Sequence, residues 1–272
     1  MKEKAKLPED DKSKLEALQQ ELVIEEKVPV PEEVPLGIRK TKQFDKEAWT
    51  PKTDLGKLVK SGQILSINEI LDKGLKILEP EIIDFLIPNI ESDTIAIGQS
   101  KGKFGGGKRS IWRQTQKKTA EGNRPSFATL TVIGNKNGYV GIGYGKSKET
   151  VPAREKALRQ AKLNIINLSR GCGSWECECA SPHSIPFEVS GRCGSVRIQL
   201  ISAPKGTGLC IENEIKKMLA LAGIKDVYSK TYGQTRTKLN LAYACFDALK
   251  QLSKVKVQPH YIKKGGITEG SI

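Results

Sequence analysis

The sequence predicts an α+β protein: a small unit of three strands and one long helix, followed by a β-β-α-β-α unit. Three observations carry that prediction. Two alternating apolar runs, "FATLTVIG" and "YVGIGYG", flank "NKNG", whose Asn-Gly pair marks a hairpin. Helical spacing then takes over, with Val151, Leu158, Ala161, Ile165 and Leu168 at steps of seven, three, four and three, the period of one buried helix face. The helix gives way at "RGCGSWECECASPH", rich in Gly and Cys, after which strand and helix patterns begin again.

Taken in order, residues 1–53 read as a charged, poorly ordered arm with the Pro-Glu rhythm of "VPVPEEVP". A helical extension follows over 54–90. Its patterns are "INEILDKGLKIL", with Ile67, Ile70, Leu71 and Leu75 on one face, and "EPEIIDFLI", closed by Pro88. "GQSKGKFGGGKRS" has no apolar period and reads as a loop leading into the hairpin of the unit over 91–168. Ser147 or Thr150 is placed to cap the long helix, with Pro152 in its first turn. Residues 169–182 form a linker and the expected domain boundary. In the second unit, 183–253, "IPFEV" and "SVRIQLIS" alternate as strands around "SGRCG". The loop "APKGTG" leads to a helix with Ile211, Ile215, Met218 and Ala222 inward, stopped by Gly223. "KDVYSKTYG" is a short strand, and Leu239, Ala242, Phe246 and Leu249 share the core face of the last helix. A basic tail covers 254–272.

Charge points to the partner. The formal net charge is +14 and the pI near 9.4, which calls for a polyanion. The excess is uneven: residues 1–36 hold ten acids against six lysines, whereas 98–124 hold eight basic residues and one acid, Glu121. "MKEKAKLPEDDK" has no apolar core of the signal-peptide kind, and no apolar run reaches membrane-spanning length. The expectation is a cytoplasmic protein with no membrane partner, whose six cysteines are thiols or metal ligands rather than disulfides.

The Gly-Lys-Ser at 145–147 raises the question of a nucleotide loop. A phosphate loop of the G-x-x-x-x-G-K-[ST] type needs glycine where Val140 stands, and a dinucleotide fingerprint would need glycine at Lys146. Instead, Gly141, Gly143 and Gly145 alternate with Ile142 and Tyr144, giving a strand with one bare face that something approaches closely. The candidates for what lies there are protein packing and a nucleic-acid backbone, and the sequence favours the backbone. Around it stand basic side chains for phosphates and aromatic rings for stacking. They are Lys101, Lys103, Lys108, Arg109, Trp112, Arg113, Gln116, Lys117, Lys118, Arg124, Phe127, Lys136, Asn137 and Tyr139. Lys146, Lys148 and Arg154, with Lys156, Arg159 and Lys162, carry the basic surface onto the helix, and Arg192, Lys205 and Arg236 add to it in the second unit. An enzyme of phosphoryl transfer using "GIGYGKS" or "APKGTG" lacks acids and histidines near either loop. A free double-stranded-RNA-binding regulator is the other alternative.

The run from "RQTQKKTAEGNRPSFATLTVIGNKNGYVGIGYGKSKETVPAREKALRQAKLNIINL" through "GSVRIQLISAPKGTGL" to "LAGIKDVYSKTYGQTRTKLNLAYACFDAL" strongly resembles the universal small-subunit ribosomal protein five family. "RGCGSWEC" and the following Pro-His are similar to its archaeal form. The resemblance covers about 112–252. It implies an α-β-β-β-α first domain like the double-stranded RNA-binding module, and a second domain with a left-handed crossover, contrary to the usual handedness. It also implies a place on the ribosome among neighbouring ribosomal proteins, bound to ribosomal RNA near the messenger entry channel, with influence on decoding accuracy. The segment "QKKTAEGNRP" falls where the family's first hairpin reaches toward RNA. The insertion "GKFGGGKRS" and the acidic arm lie outside it.

Cys172, Cys177, Cys179 and His183 lie within twelve residues, as C-x4-C-x-C-x3-H. Four such ligands can close a tetrahedral zinc site that staples a linker too small for its own core. C-x-C sets two sulfurs close together, so Cys193 could replace one of them. Thiols packed around Trp175, or a histidine on RNA, are the alternatives to one structural zinc ion. Cys210 and Cys245 read as small core residues.

Overall fold

The structure, a computed structural model, describes residues 49–100, 102 and 108–270. Most of the expected acidic arm, and the candidates Lys101 and Lys103, lie outside them.

Among the described residues three short helices come first: α1 (Asp54–Lys60), α2 (Ile67–Asp72) and α3 (Glu81–Leu86). Thr53 caps α1 by accepting from Gly56 N at 3.1 Å. The Glu79 carboxylate accepts from the amides of Lys52 and Thr53 at 2.8 and 2.6 Å. Leu75 does not share the α2 face: the helix ends at Asp72, Gly74 turns the chain at φ 66°, and Leu75 is left exposed. The apolar residues of this extension, Trp49, Val59, Ile67, Ile70, Ile82 and Ile83 among them, form a cluster with Ile133, Tyr139, Ala161 and Ile165 of the next unit.

That unit has five strands, not three. They are β1 (Glu91–Ile95), β2 (Arg113–Thr119), β3 (Gly122–Gly134), β4 (Tyr139–Ser147) and, after helix α4 (Thr150–Leu163), β5 (Ile165–Asn167). All pairings are antiparallel. β3 is long enough to serve two partners along one edge, β2 on its first half and β1 on its second. The base of the 98–110 excursion is closed by Gly98 N donating to Ser110 O at 2.8 Å. Glu149 rather than Ser147 or Thr150 is the N-cap of α4, and no side chain caps it. The buried stripe of α4 is Ala153, Ala157 and Ala161; Val151 is exposed, and Ile165 and Leu168 lie beyond the helix end.

The second unit is β6 (Val189–Cys193), β7 (Val196–Ser202), β8 (Leu209–Cys210), helix α5 (Asn213–Ala222), β9 (Val227–Tyr232) and helix α6 (Lys238–Lys254), followed by a short helix α7 (Pro259–Gly265). Its sheet runs β6-β7-β9-β8, with only β8 and β9 parallel. Gly223 ends α5 at φ 83°, as the sequence predicts. Cys245 is buried on α6, but Cys210 sits exposed on β8 rather than in a core. One apolar cluster runs through both sheets: Leu130, Val132, Val140 and Ile142 from the first meet Ile198, Leu200, Met218 and Leu249 of the second. The turn between β3 and β4 is docked there as well. Lys136 N and Gly138 N donate to Leu221 O and Ala222 O at the end of α5, at 2.8 and 3.1 Å. No helix among the described residues is long and apolar enough to cross a membrane.

Candidate nucleic-acid interface and metal centre

The glycine face is covered by protein. A Cβ on Gly143 would lie 2.2 Å from both Ala157 O and Ala161 N, one on Gly145 2.1 Å from Ala153 O, and one on Gly141 2.3 Å from Ala161 O. Gly-x-Gly-x-Gly on β4 and Ala-x3-Ala-x3-Ala on α4 thus let helix and strand touch backbone to backbone. Gly141 and Gly143 are therefore not a surface for RNA, which corrects the expectation from sequence. Gly145-Lys146-Ser147 lies within β4, paired to residues 127–129 of β3, and forms no phosphate loop. The amides of "APKGTG" are also engaged: Gly206 N and Gly208 N donate to Asp226 Oδ1 at 3.1 and 2.8 Å.

Tyr139 is corrected for the same reason. Its ring is 1% exposed, and its hydroxyl donates to Asn68 Oδ1 at 2.7 Å or Gly270 O at 3.0 Å, so it has no stacking face. Burial raises its phenol above the ordinary value. Lys162 is buried against Asp84 at 2.5 Å, and the desolvated Asp84 carboxyl sits above its usual range despite that lysine. Lys136 is exposed but engaged by Glu91 at 2.6 Å, and Asn137 is exposed on the docked turn.

The outer hairpin is the opposite case. β2 is exposed over its first six residues, and β3 over its first four. Arg113, Gln116, Lys117, Lys118 and Arg124 all stand on this arm, with Lys117 opposite Arg124. Within the arm Arg124 pairs with Glu121. "RQTQKKT" has no apolar residue to fold around, yet it forms a strand because β3 supplies the ladder. Trp112 and Phe127 are half-buried at its root, and Arg109 is half-buried in the segment leading to it. Lys108 and Lys148 are exposed, as is Lys146, which pairs with Ala128 of β3. Arg154 is half-buried on α4; Arg192, Lys205 and Arg236 are exposed on the second unit, away from the arm in sequence.

The linker brings its four donors together. The ligand atoms of Cys172, Cys177, Cys179 and His183 all lie within 4.8 Å of one another. Cys177 Sγ is 3.9 Å from His183 Nε2. Cys193 is not among them; it lies on β6 against the main core. His183 is buried, and its Nδ1 contacts Asp226 Oδ2 at 2.8 Å. A carboxylate there makes Nδ1 the protonated nitrogen and leaves the Nε2 lone pair facing the sulfurs. Burial and neighbouring thiols push Cys172 up to about 11, while the Ser181 hydroxyl and amide bring Cys179 down to about 6. Three sulfurs, one imidazole nitrogen and an orienting carboxylate fit a tetrahedral soft cation, with metal–sulfur bonds of about 2.3 Å. Asp226 was invisible in the sequence: it is 43 residues from His183.

Two family descriptions match this chain: "Ribosomal protein S5, N-terminal domain" over residues 111–169 and "Ribosomal protein S5, C-terminal domain" over residues 191–261. A "Small ribosomal subunit protein uS5" of Nanoarchaeum equitans is 53% identical over 226 residues, 83% of this chain and 97% of that protein. The chain belongs to the ribosomal protein S5 family. Proteins of the same name from Methanococcus maripaludis and Methanocaldococcus jannaschii are 48% and 46% identical, over 85% of this chain and 94% and 99% of theirs. In S5 terms, the arm, the glycine strand and α4 belong to the N-terminal domain match, and the four-stranded sheet from Gly191 onward to the C-terminal one. The Cys/His cluster falls between the two matches.

Proposed function

We propose that this S5-family chain is a structural, non-enzymatic constituent of the small ribosomal subunit that binds ribosomal RNA through the β2–β3 arm. The observation that carries this is the arm itself, a two-stranded ribbon exposed over its outer half and bearing Arg113, Lys117, Lys118 and Arg124. Such a ribbon gains little from apolar burial, so its cationic side chains are available for phosphates. The family resemblance supports the finer placement, beside neighbouring small-subunit proteins and near the messenger entry channel, with the arm contributing to decoding accuracy. The tagged chain should sediment with small subunits after a high-salt wash. Release into the soluble fraction would favour a free RNA-binding regulator instead.

The linker adds a second, narrower proposal: one structural zinc ion held by Cys172, Cys177, Cys179 and His183. When bound, zinc supplies a cross-link between donors at both ends of a segment with little apolar core of its own. Protein kept reduced should carry about one zinc per chain, lost when Cys172 and Cys177 become Ser. Metal analysis finding none would remove this assignment and leave the RNA-binding one untouched.

A further inference from the structure

Among the described residues, one face of the second sheet is open. Val189, Ile198, Leu200 and Gly191 turn inward, the last so closely that a Cβ would meet Ala244 O of α6 at 2.1 Å. Pleating then sends the alternate residues outward. Strand register sets them in rows: Arg192 beside Arg197 beside Tyr232, and Gln199 beside Lys230, with Tyr228 beyond. Tyr228 and Tyr232 are 39% and 55% exposed and flank Lys230 on one strand, about 13 Å apart at the usual rise. Arg192, Arg197, Gln199 and Tyr232 line a depression of about 730 Å³ on this face.

We infer that this face binds an unpaired stretch of RNA, stacking two bases on Tyr228 and Tyr232 while Arg192, Arg197 and Lys230 meet the phosphates. The inference rests on the RNA-binding reading above and extends it to a second surface with a different ligand form. Charge decides the class of partner. No ion pair among the described residues engages Arg192, Arg197 or Lys230. The acid at the rim, Glu188, is hydrogen-bonded to Gln199. Three cations with no acid paired to them ask for a polyanion, and aromatic planes beside them suit splayed bases on a phosphate backbone. A flat sheet face also fits single strands better than duplex, whose bases are already stacked.

The test uses the full chain, a labelled oligouridine of about ten nucleotides, and a labelled perfect RNA hairpin, with affinity read by fluorescence anisotropy. Tyr228→Ala with Tyr232→Ala should weaken oligouridine binding at least tenfold and leave the hairpin within about twofold. Tyr228→Phe with Tyr232→Phe should keep both affinities, because the ring rather than the hydroxyl does the stacking. Unchanged oligouridine affinity in the Ala variant overturns the inference, as it would if a ribosomal protein occupied this face. Should the Ala variant melt early, the unmodified chain decides: an oligouridine carrying 5-iodouridine should photo-cross-link to Tyr228 or Tyr232, and adducts only elsewhere overturn it. If the unmodified chain binds the hairpin but not oligouridine, this inference falls and the RNA-binding reading stands. If it binds neither, that reading falls as well.

Discussion

The glycine strand β4 and the β2–β3 arm look alike as candidates for RNA contact, one by its lack of side chains and the other by its cations, yet the fold treats them oppositely. β4 is sandwiched: its glycines lie against the alanines of α4, and Val140 and Ile142 enter the cluster shared with the second sheet. The arm is exposed over the first six residues of β2 and the first four of β3. A bare strand face shows that something comes close but not what. Cations without apolar company, by contrast, have no use inside. Changes in β4 should therefore act through folding, and changes in the arm through RNA.

The largest effect is expected at Gly143. Its Cβ position is filled by the backbone of α4, which cannot move aside as a side chain could, so Gly143→Val should cost roughly 3 kcal/mol or more. Thermal melting checks this, and a variant that melts normally would mean that α4 does not seal the strand.

The linker stands between the two extremes, with His183 buried against Asp226 and Cys179 exposed. Asp226→Asn removes the carboxylate that fixes the His183 tautomer and should weaken zinc affinity by about tenfold to a hundredfold. Competition with a chromogenic chelator measures it, and unchanged affinity would show that the imidazole needs no orienting partner.

A smaller effect is expected at Glu79. Burial pushes its carboxyl up, but the amides of Thr53 and Lys52 outweigh that and hold it below the ordinary 4.5. Its stabilising share is thus complete above pH 4.5 and is lost as the pH falls through the lower folded value. Glu79→Gln should flatten the acid side of the melting profile, while an acid limb as steep as the parent's would place the titrating group elsewhere.

Much of this was legible in the sequence, for identifiable reasons. The hairpin turn, the Gly223 stop and the inward face of α6 depend on local spacing, which the sequence displays directly. β2 came only through the family's first hairpin, since "RQTQKKT" has no apolar residue for period two to register. β1, "ESDTI", was missed for the same want of apolar residues, and β5 because Ile165 fits the helical spacing of α4. The cover of the glycine face had a signal that went unused: alanines at 153, 157 and 161 repeat at helical spacing and match glycines at 141, 143 and 145 in smallness. The partners of Asp226 and Tyr139 carried no signal, being contacts across 43 and 71 residues. The cysteine cluster was legible because its ligands are local; the carboxylate behind it was not.

The smallest effect on stability and the most direct test of the RNA interface come from one variant, Lys117→Ala with Lys118→Ala. Both side chains are exposed on the arm and form no ion pair among the described residues. Its stability should stay within about 0.5 kcal/mol of the parent. The decisive measurement is the slope of log affinity for an RNA hairpin against log salt concentration. The arm predicts weaker binding and a slope shallower by roughly one to two units, for two phosphates no longer neutralised. A lowered melting temperature with an unchanged slope would contradict it, making the arm a structural element that does not touch RNA.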